Sequence, residues 1–323
     1  MTGWKYGARL NSFKTFPHLV QSSQNSELST NELLERVAMV DGLSSVDFNY
    51  PEHFADSGAG GLIQALQQLG LGCNGIAMRF DDRFVRGDFS HPESAIRKKA
   101  LELTHEAASI CKEMGGEVLT LWFAHDGYDY SFEGDHLRRY QLAIQGVREV
   151  ATKHSDLRVS IEYKPYQPRA FSAFSDIGMV LLAIRDVGVP NVGVTLDYCH
   201  MLMKRENPSQ SLAMAVKDNC LYGVHLNDGY RDNDDGMLAG SANILGLLEF
   251  VYYMKRYEFS GLVYFDTFPD RVDPVQECKA NIDTVNAAVK WVERFGLGKM
   301  QEIIKEQSPL GAHKVLLELL KGQ

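Results

Sequence analysis

Four stretches of this chain carry residues whose types and spacing could do chemistry together. Glu162 and Lys164 stand two apart in Arg158-Val-Ser-Ile-Glu-Tyr-Lys-Pro165, and the two-residue alternation of a strand puts both on one face. Asp197 and His200 follow three apart, His225 opens His-Leu-Asn227-Asp228, and Asp266 closes Val263-Tyr-Phe-Asp. Each group sits at the end of an apolar run. Carboxylates and imidazoles delivered from successive strand ends can converge on a divalent ion, and a lysine beside the first ligand adds a positive electrophile. Two carboxylate types and imidazole with no thiolate make a hard-to-borderline donor set, suited to Mn2+, Co2+ or Mg2+ more than to structural zinc. Asp232-Asn-Asp234-Asp235, on the polar loop after His225, could hold a second ion together with His200.

Such convergence needs elements that align the strand ends. Eight runs read as strands: Tyr6 to Asn11, Ser45 to Asn49, Gly75 to Arg79, Val118 to Phe123, Arg158 to Tyr163, Val192 to Leu196, Tyr222 to Leu226 and Leu262 to Phe265. Their continuous Val, Ile, Leu and Phe content suits parallel strands covered on both faces. Helical periodicity separates them over Gly61 to Leu71, Pro92 to Met114, His136 to His154, Ser175 to Val187, Ser209 to Asn219, Ile244 to Glu258 and Pro274 to Phe295. That rhythm is the signature of an α/β (β/α)8 TIM barrel, whose active sites lie at the C-terminal strand ends. A doubly wound open sheet would call for a glycine-rich phosphate turn after the first strand, and Asn11-Ser12-Phe13-Lys14 has none. The expected domains are a barrel over 1–295 and a helical extension over 296–323, whose Val315, Leu316, Leu319 and Leu320 form an apolar stripe suited to an interface or a cap on the barrel floor. The longer loops Asn49 to Gly60, Phe80 to His91 and His125 to Asp135 are expected walls and lid of a pocket.

Composition narrows the function further. Lys plus Arg number 33 against 42 Asp plus Glu, a net charge of -9. The field repels polyanions, so no nucleic-acid partner is expected. Five cysteines without a Cys-x-x-Cys pair read as reduced, mostly buried thiols. The polar start from Met1 to Phe13 lacks the pattern of a secretory signal, and no apolar run reaches the roughly 20 residues that cross a bilayer. A cytoplasmic protein with no membrane partner is expected.

Glu162-Tyr-Lys164-Pro165, Asp197-x-x-His200, His225-Leu-Asn227-Asp228, the acidic loop running to Gly240-Ser241, and Asp266 together resemble the xylose-isomerase-like barrel superfamily, and within it the rhamnose isomerase type of sugar isomerases. The resemblance covers the second half of the chain through motifs and the first half through its strand-helix rhythm. It implies a metal-dependent aldose-ketose isomerase for a pentose or deoxyhexose, of the L-rhamnose or D-apiose type, with a sugar as its partner and Mn2+ as its ion. Glu162, Asp197, His225 and Asp266 would hold the first ion, and His200 with Asp232 or Asp234 the second. The family loop places two acidic ligands separated by one residue. Asp232 and Asp234 have that spacing, yet counting back from Gly240-Ser241 favours Asp234, with Gly236 in the partner position. Lys164, Glu162 and Asp234 would be catalytic, Lys164 polarising the aldehyde oxygen. His53, Trp122 and His125 would touch the sugar. A homodimer or homotetramer is expected. Ketose 3-epimerisation and a non-catalytic sugar-binding protein stand as alternatives.

Overall fold

A computed structural model of the protein describes residues 3–15 and 28–322. Met1 and Thr2 of the polar start lie outside them. Eight parallel strands, Lys5–Arg9, Leu43–Tyr50, Gly72–Met78, Val118–Trp122, Arg158–Glu162, Val192–Asp197, Leu221–Leu226 and Leu262–Phe265, pair in chain order, and the last pairs with the first. The fold is a closed (β/α)8 TIM barrel with helices after it. Closure removes the sheet edges that an open sheet would leave. It also decides against the doubly wound layout.

The register is what brings the site together. Glu162 pairs with Thr195, Asp197 with His225, and His225 with Tyr264. Neighbouring strand ends therefore stop at matching heights around the C-terminal rim. Beneath them Val159, Ile161, Val194, Leu196 and Val263 are fully buried between sheet and helices, so the rim rests on close-packed side chains that tolerate little displacement.

Helix boundaries follow local chemistry. Ser29 and Glu32 form a capping box on the helix Thr30–Ala38, Asp135 caps His136–Lys153, and Asp273 followed by Pro274 opens Pro274–Phe295. Thr30–Ala38 escaped the periodicity reading, which ran from the first strand directly to the second. So did Tyr198–Met203, a short helix packed immediately after the sixth strand. A two-stranded ribbon of Gly127–Tyr128 and Phe171–Ser172 ties together the loops after the fourth and fifth strands.

The tail forms two helices, Leu297–Glu306 and Leu310–Leu320. They do not cap the barrel floor. Met300, Ile303 and Val315 border a groove with Leu245, Leu248 and Tyr252 of the helix Ile244–Arg256, on the outer helical ring. Leu310, Leu317 and Leu320 stay exposed there. Four of the five cysteines are buried and all are free. Among the described residues, no helix is long and apolar enough to cross a membrane.

Candidate metal centre

Glu162 is the last residue of its strand, Asp197 the last of the next, His225 the penultimate residue of the one after, and Asp266 follows directly on Phe265. One ligand atom from each of these four lies within 4.8 Å of every other. His225 Nδ1 is 3.5 Å from Glu162 Oε1 and 3.9 Å from Asp266 Oδ2. A second group, Asp197, His200 and Asp234, meets the same distance criterion. Asp197 belongs to both. The two cradles are therefore adjacent.

Several atoms aimed into this space lack a hydrogen bond, Asp266 Oδ1 having only the Arg9 guanidinium at 3.4 Å. Glu162 Oε2, His225 Nδ1, Asp234 Oδ1 and Asp266 Oδ1 are buried without a hydrogen bond. Two carboxylates at this spacing repel by roughly 3 kcal/mol at an effective dielectric constant near 20, so unpaired clustering is costly. A cation offsets both costs at once. The donor set of oxygens and imidazole nitrogens fits a divalent ion, and the residues present suit such an ion at both cradles.

Without one, protons take that role. Burial opposes charging His225, but Glu162, Asp266 and Asp197 outweigh it and hold the imidazole up at about 9. His200 is likewise lifted to about 9, against burial, by Asp197, Asp234 and Glu162. Burial also opposes the charge on Glu162, yet the imidazoles of His225 and His200 keep it below the usual carboxylate range. Asp197 goes the other way, raised by burial and by Asp234, Asp266 and Glu162 against the pull of His200.

Neighbouring groups fix the ligands in place. Asn227 Nδ2 donates to Asp197 Oδ2 at 3.0 Å and to the Asp266 carbonyl at 3.0 Å, and its own Oδ1 accepts from the Cys199 amide at 2.8 Å. Asp197 caps Tyr198–Met203 by accepting from the His200 amide at 2.9 Å, while His200 Nδ1 bonds the Tyr163 carbonyl. That leaves His200 Nε2 facing Asp234 Oδ2 at 3.2 Å. Lys164 Nζ donates to the same oxygen at 2.9 Å. Asp228 is in neither group; it is fully buried and accepts from the amides of Gly229, Ala242 and Asn243, pinning the acidic loop.

Of the acidic loop, Asp234 joins the cluster and Asp232 does not. The Asp232 carboxylate is in neither group, and its main-chain oxygen accepts from Tyr166. Gly236, at φ +54, could not carry a ligand, because a Cβ there would lie 2.3 Å from the Phe268 ring. Trp122 lines the cavity of about 310 Å3 that opens over both cradles. His53 and His125 do not. His53 is buried, its Nδ1 accepting from the Asn49 amide and its Nε2 facing Asn11 Oδ1. His125 Nε2 faces the Phe80 carbonyl at 3.3 Å.

Residues 39–294 match the xylose isomerase-like TIM barrel family. The chain belongs to that family. Similar curated proteins are a xylose isomerase of Thermus thermophilus, 23% identical over 65% of this chain and 56% of that protein, and a probable sugar isomerase of Rhizobium meliloti, 28% identical over 46% and 34%. The chain thus spans about half the length of the first and a third of the second. Among solved structures, an L-ribulose 3-epimerase is similar at a TM-score of 0.71 and 17% identity, over 90% of this chain and 96% of that one.

In this xylose isomerase-like barrel the cavity also receives Arg9, Arg79, Gln167 and Phe268, which sequence reasoning missed. Arg9 lies 3.4 Å from Asp266 and over the Phe268 ring, and Arg79 stacks on Trp122 at 4.6 Å. Arg79 follows directly on an apolar strand, as Asp266 does, so the same strand-end criterion would have found it. Gln167 and Phe268 belong to loops and carried no such signal. Nor did any spacing indicate that Asp197 would serve both cradles.

Proposed function

We propose that the protein is a metal-dependent aldose-ketose isomerase acting on a pentose or deoxyhexose, of the L-rhamnose or D-apiose type. The observation that carries this reading is the pair of cradles sharing Asp197, with the Lys164 ammonium beside Asp234 in one cavity. Divalent cations, Mn2+ first and Co2+ or Mg2+ otherwise, supply Lewis-acid stabilisation of charge on substrate oxygens when bound. Glu162, Asp197, His225 and Asp266 would hold one, and Asp197, His200 and Asp234 the other.

The chain's own groups do the rest. Isomerisation moves one hydrogen from C2 to C1 and one proton from O2 to O1. Lys164 donates a hydrogen bond to the C1 oxygen, where negative charge develops and a preorganised cation is worth most. Asp234, with Oδ1 free of partners, takes the proton from the O2 hydroxyl and returns it to O1. Trp122, braced by Arg79 on its ring, forms an apolar wall that keeps water from the reacting carbons. Glu162 and His225, at 3% and 8% exposure, are held in a dry pocket where these charges act strongly.

A second reading, ketose 3-epimerisation, draws on the pairing of Glu162 and Asp266 across the first cradle, since two carboxylates facing one carbon can take a proton and give it back. Incubation with single aldoses and, separately, single ketoses in the presence of Mn2+, followed by product analysis, separates the two. A ketose formed from an aldose supports isomerisation; ketoses epimerised with no aldose ever formed overturn it. We further read 1–295 as the catalytic barrel, 296–323 as its extension, and the exposed Leu310, Leu317 and Leu320 as part of a homodimer or homotetramer contact in a cytoplasmic enzyme. Light scattering across a dilution series tests the assembly.

A further inference from the structure

Below the first cradle the barrel interior holds a carboxylate that ion binding as described leaves unused. Asp47, on the second strand, is 7% exposed. Its Oδ1 accepts from Asn74 Nδ2 at 2.8 Å, and among the described residues nothing donates to its Oδ2. Asp47 and His225 both line a closed-in cavity of about 20 Å3, together with Thr120, Thr195 and Tyr264. That is room for one water molecule with polar partners on several sides. The Tyr264 ring lies 4.5 Å from the His225 ring and fixes its plane.

The orientation of His225 is decisive. Nδ1 is turned to Glu162 and Asp266 and is buried without a hydrogen bond. An imidazole that binds an ion through Nδ1 carries its proton on Nε2, and a histidine ligand depends on an outer partner for that N–H to fix its tautomer and ring. A carboxylate in the same small cavity is such a partner.

We propose that Asp47 is a positioning residue for the first ion, receiving the Nε2–H of His225 through a single water held in the cavity between them. The water donates to Asp47 Oδ2 and accepts from His225. Asn74 holds the other Asp47 oxygen and so aims the carboxylate. The proposal rests on the ion-binding part of the proposed function and is independent of its sugar chemistry.

The test is Mn2+ affinity of the full chain without substrate, by electron paramagnetic resonance, together with the His225 tautomer from ring-nitrogen NMR of the protein loaded with diamagnetic Mg2+. Asp47→Leu should weaken the first ion by about 10- to 100-fold, the usual effect of losing such a partner, and should leave His225 a mixture of tautomers. Asp47→Asn, which keeps shape and an acceptor oxygen, should recover part of that affinity, and it serves in place of Asp47→Leu should that variant not fold. A merely structural role would lower the melting temperature and leave the tautomer and affinity unchanged. Affinity within twofold of wild type in a folded Asp47 variant, a Nδ1–H tautomer in the wild type, or no Mn2+ uptake by the wild type overturns the proposal. Normal Mn2+ uptake with no turnover of any aldose would instead count against the isomerase reading alone.

Discussion

The two cradles share Asp197 yet are built differently. The first takes its candidate ligands from four consecutive strand ends, fixed by register, and leaves Glu162 Oε2 and His225 Nδ1 without a hydrogen bond. The second takes His200 from a six-residue helix and Asp234 from a loop; Asp234 Oδ1 is without a hydrogen bond, while its Oδ2 already accepts from Lys164 and faces His200. A frustrated site gains most from an ion, while a self-neutralised one must give up contacts to take it. The first should load tightly and hold structure; the second should load weakly and be tuned by Lys164.

The strongest challenge to this contrast is Glu162→Gln, which removes a buried charged ligand. Mn2+ binding at the first cradle should be lost and turnover fall by about 10³-fold, the scale of several kcal/mol of charge stabilisation; calorimetric uptake close to wild type would refute the assignment. Lys164→Met should cut kcat by about 10²-fold, comparable to loss of a preorganised oxyanion donor. It should also tighten the second ion, since Asp234 is released, and unchanged turnover would remove Lys164 from the chemistry. Asp234→Asn should weaken the second ion by about tenfold, near 1.4 kcal/mol, and leave the first within twofold. Equal loss at both would show that the cradles act as one.

The pH dependence of ion uptake sharpens the same point. Ion-free His200 and His225 titrate at about 9, above the ordinary 6.5, so at pH 7 both are imidazolium and an incoming ion must displace their protons. Affinity should rise from pH 7 to 9 and level off beyond. The sign for stability is opposite: raised histidines stabilise the ion-free fold fully below pH 6.5, and that contribution is lost as pH rises through 9. Thermal melts with chelator present check this. The smallest effects belong outside the cavity. His125→Ala should change KM less than twofold. His53→Gln should cost about 1–2 kcal/mol of stability through lost buried hydrogen bonds with little change in Mn2+ affinity.

Much of the barrel was readable because parallel strands buried on both faces leave long apolar runs, and the last four runs end at or beside Glu162, Asp197, His225 and Asp266, residues that burial alone would disfavour. Thr30–Ala38 was not readable, since its polar first turn and short length hide the periodicity. His53 and His125 were expected at the sugar because they follow strands two and four. The chain after those strands turns them aside, His53 into a bond with its own loop at Asn49 and His125 toward Phe80. Arg9 and Asp47, in contrast, look unremarkable along the chain and acquire meaning only from strands that are remote in sequence.

The amino-acid sequence by itself determined the eightfold alternation, the donor types and the placement of Glu162 and Lys164 on one face, since these depend on residue type and on local spacing along the chain. The tertiary structure alone decided that Asp197 serves two cradles, that Asp234 and not Asp232 turns inward, and that Arg9, Arg79 and Phe268 enclose the cavity. Those outcomes depend on register between strands and on loop paths across the rim, and neither is written in any local run of residues.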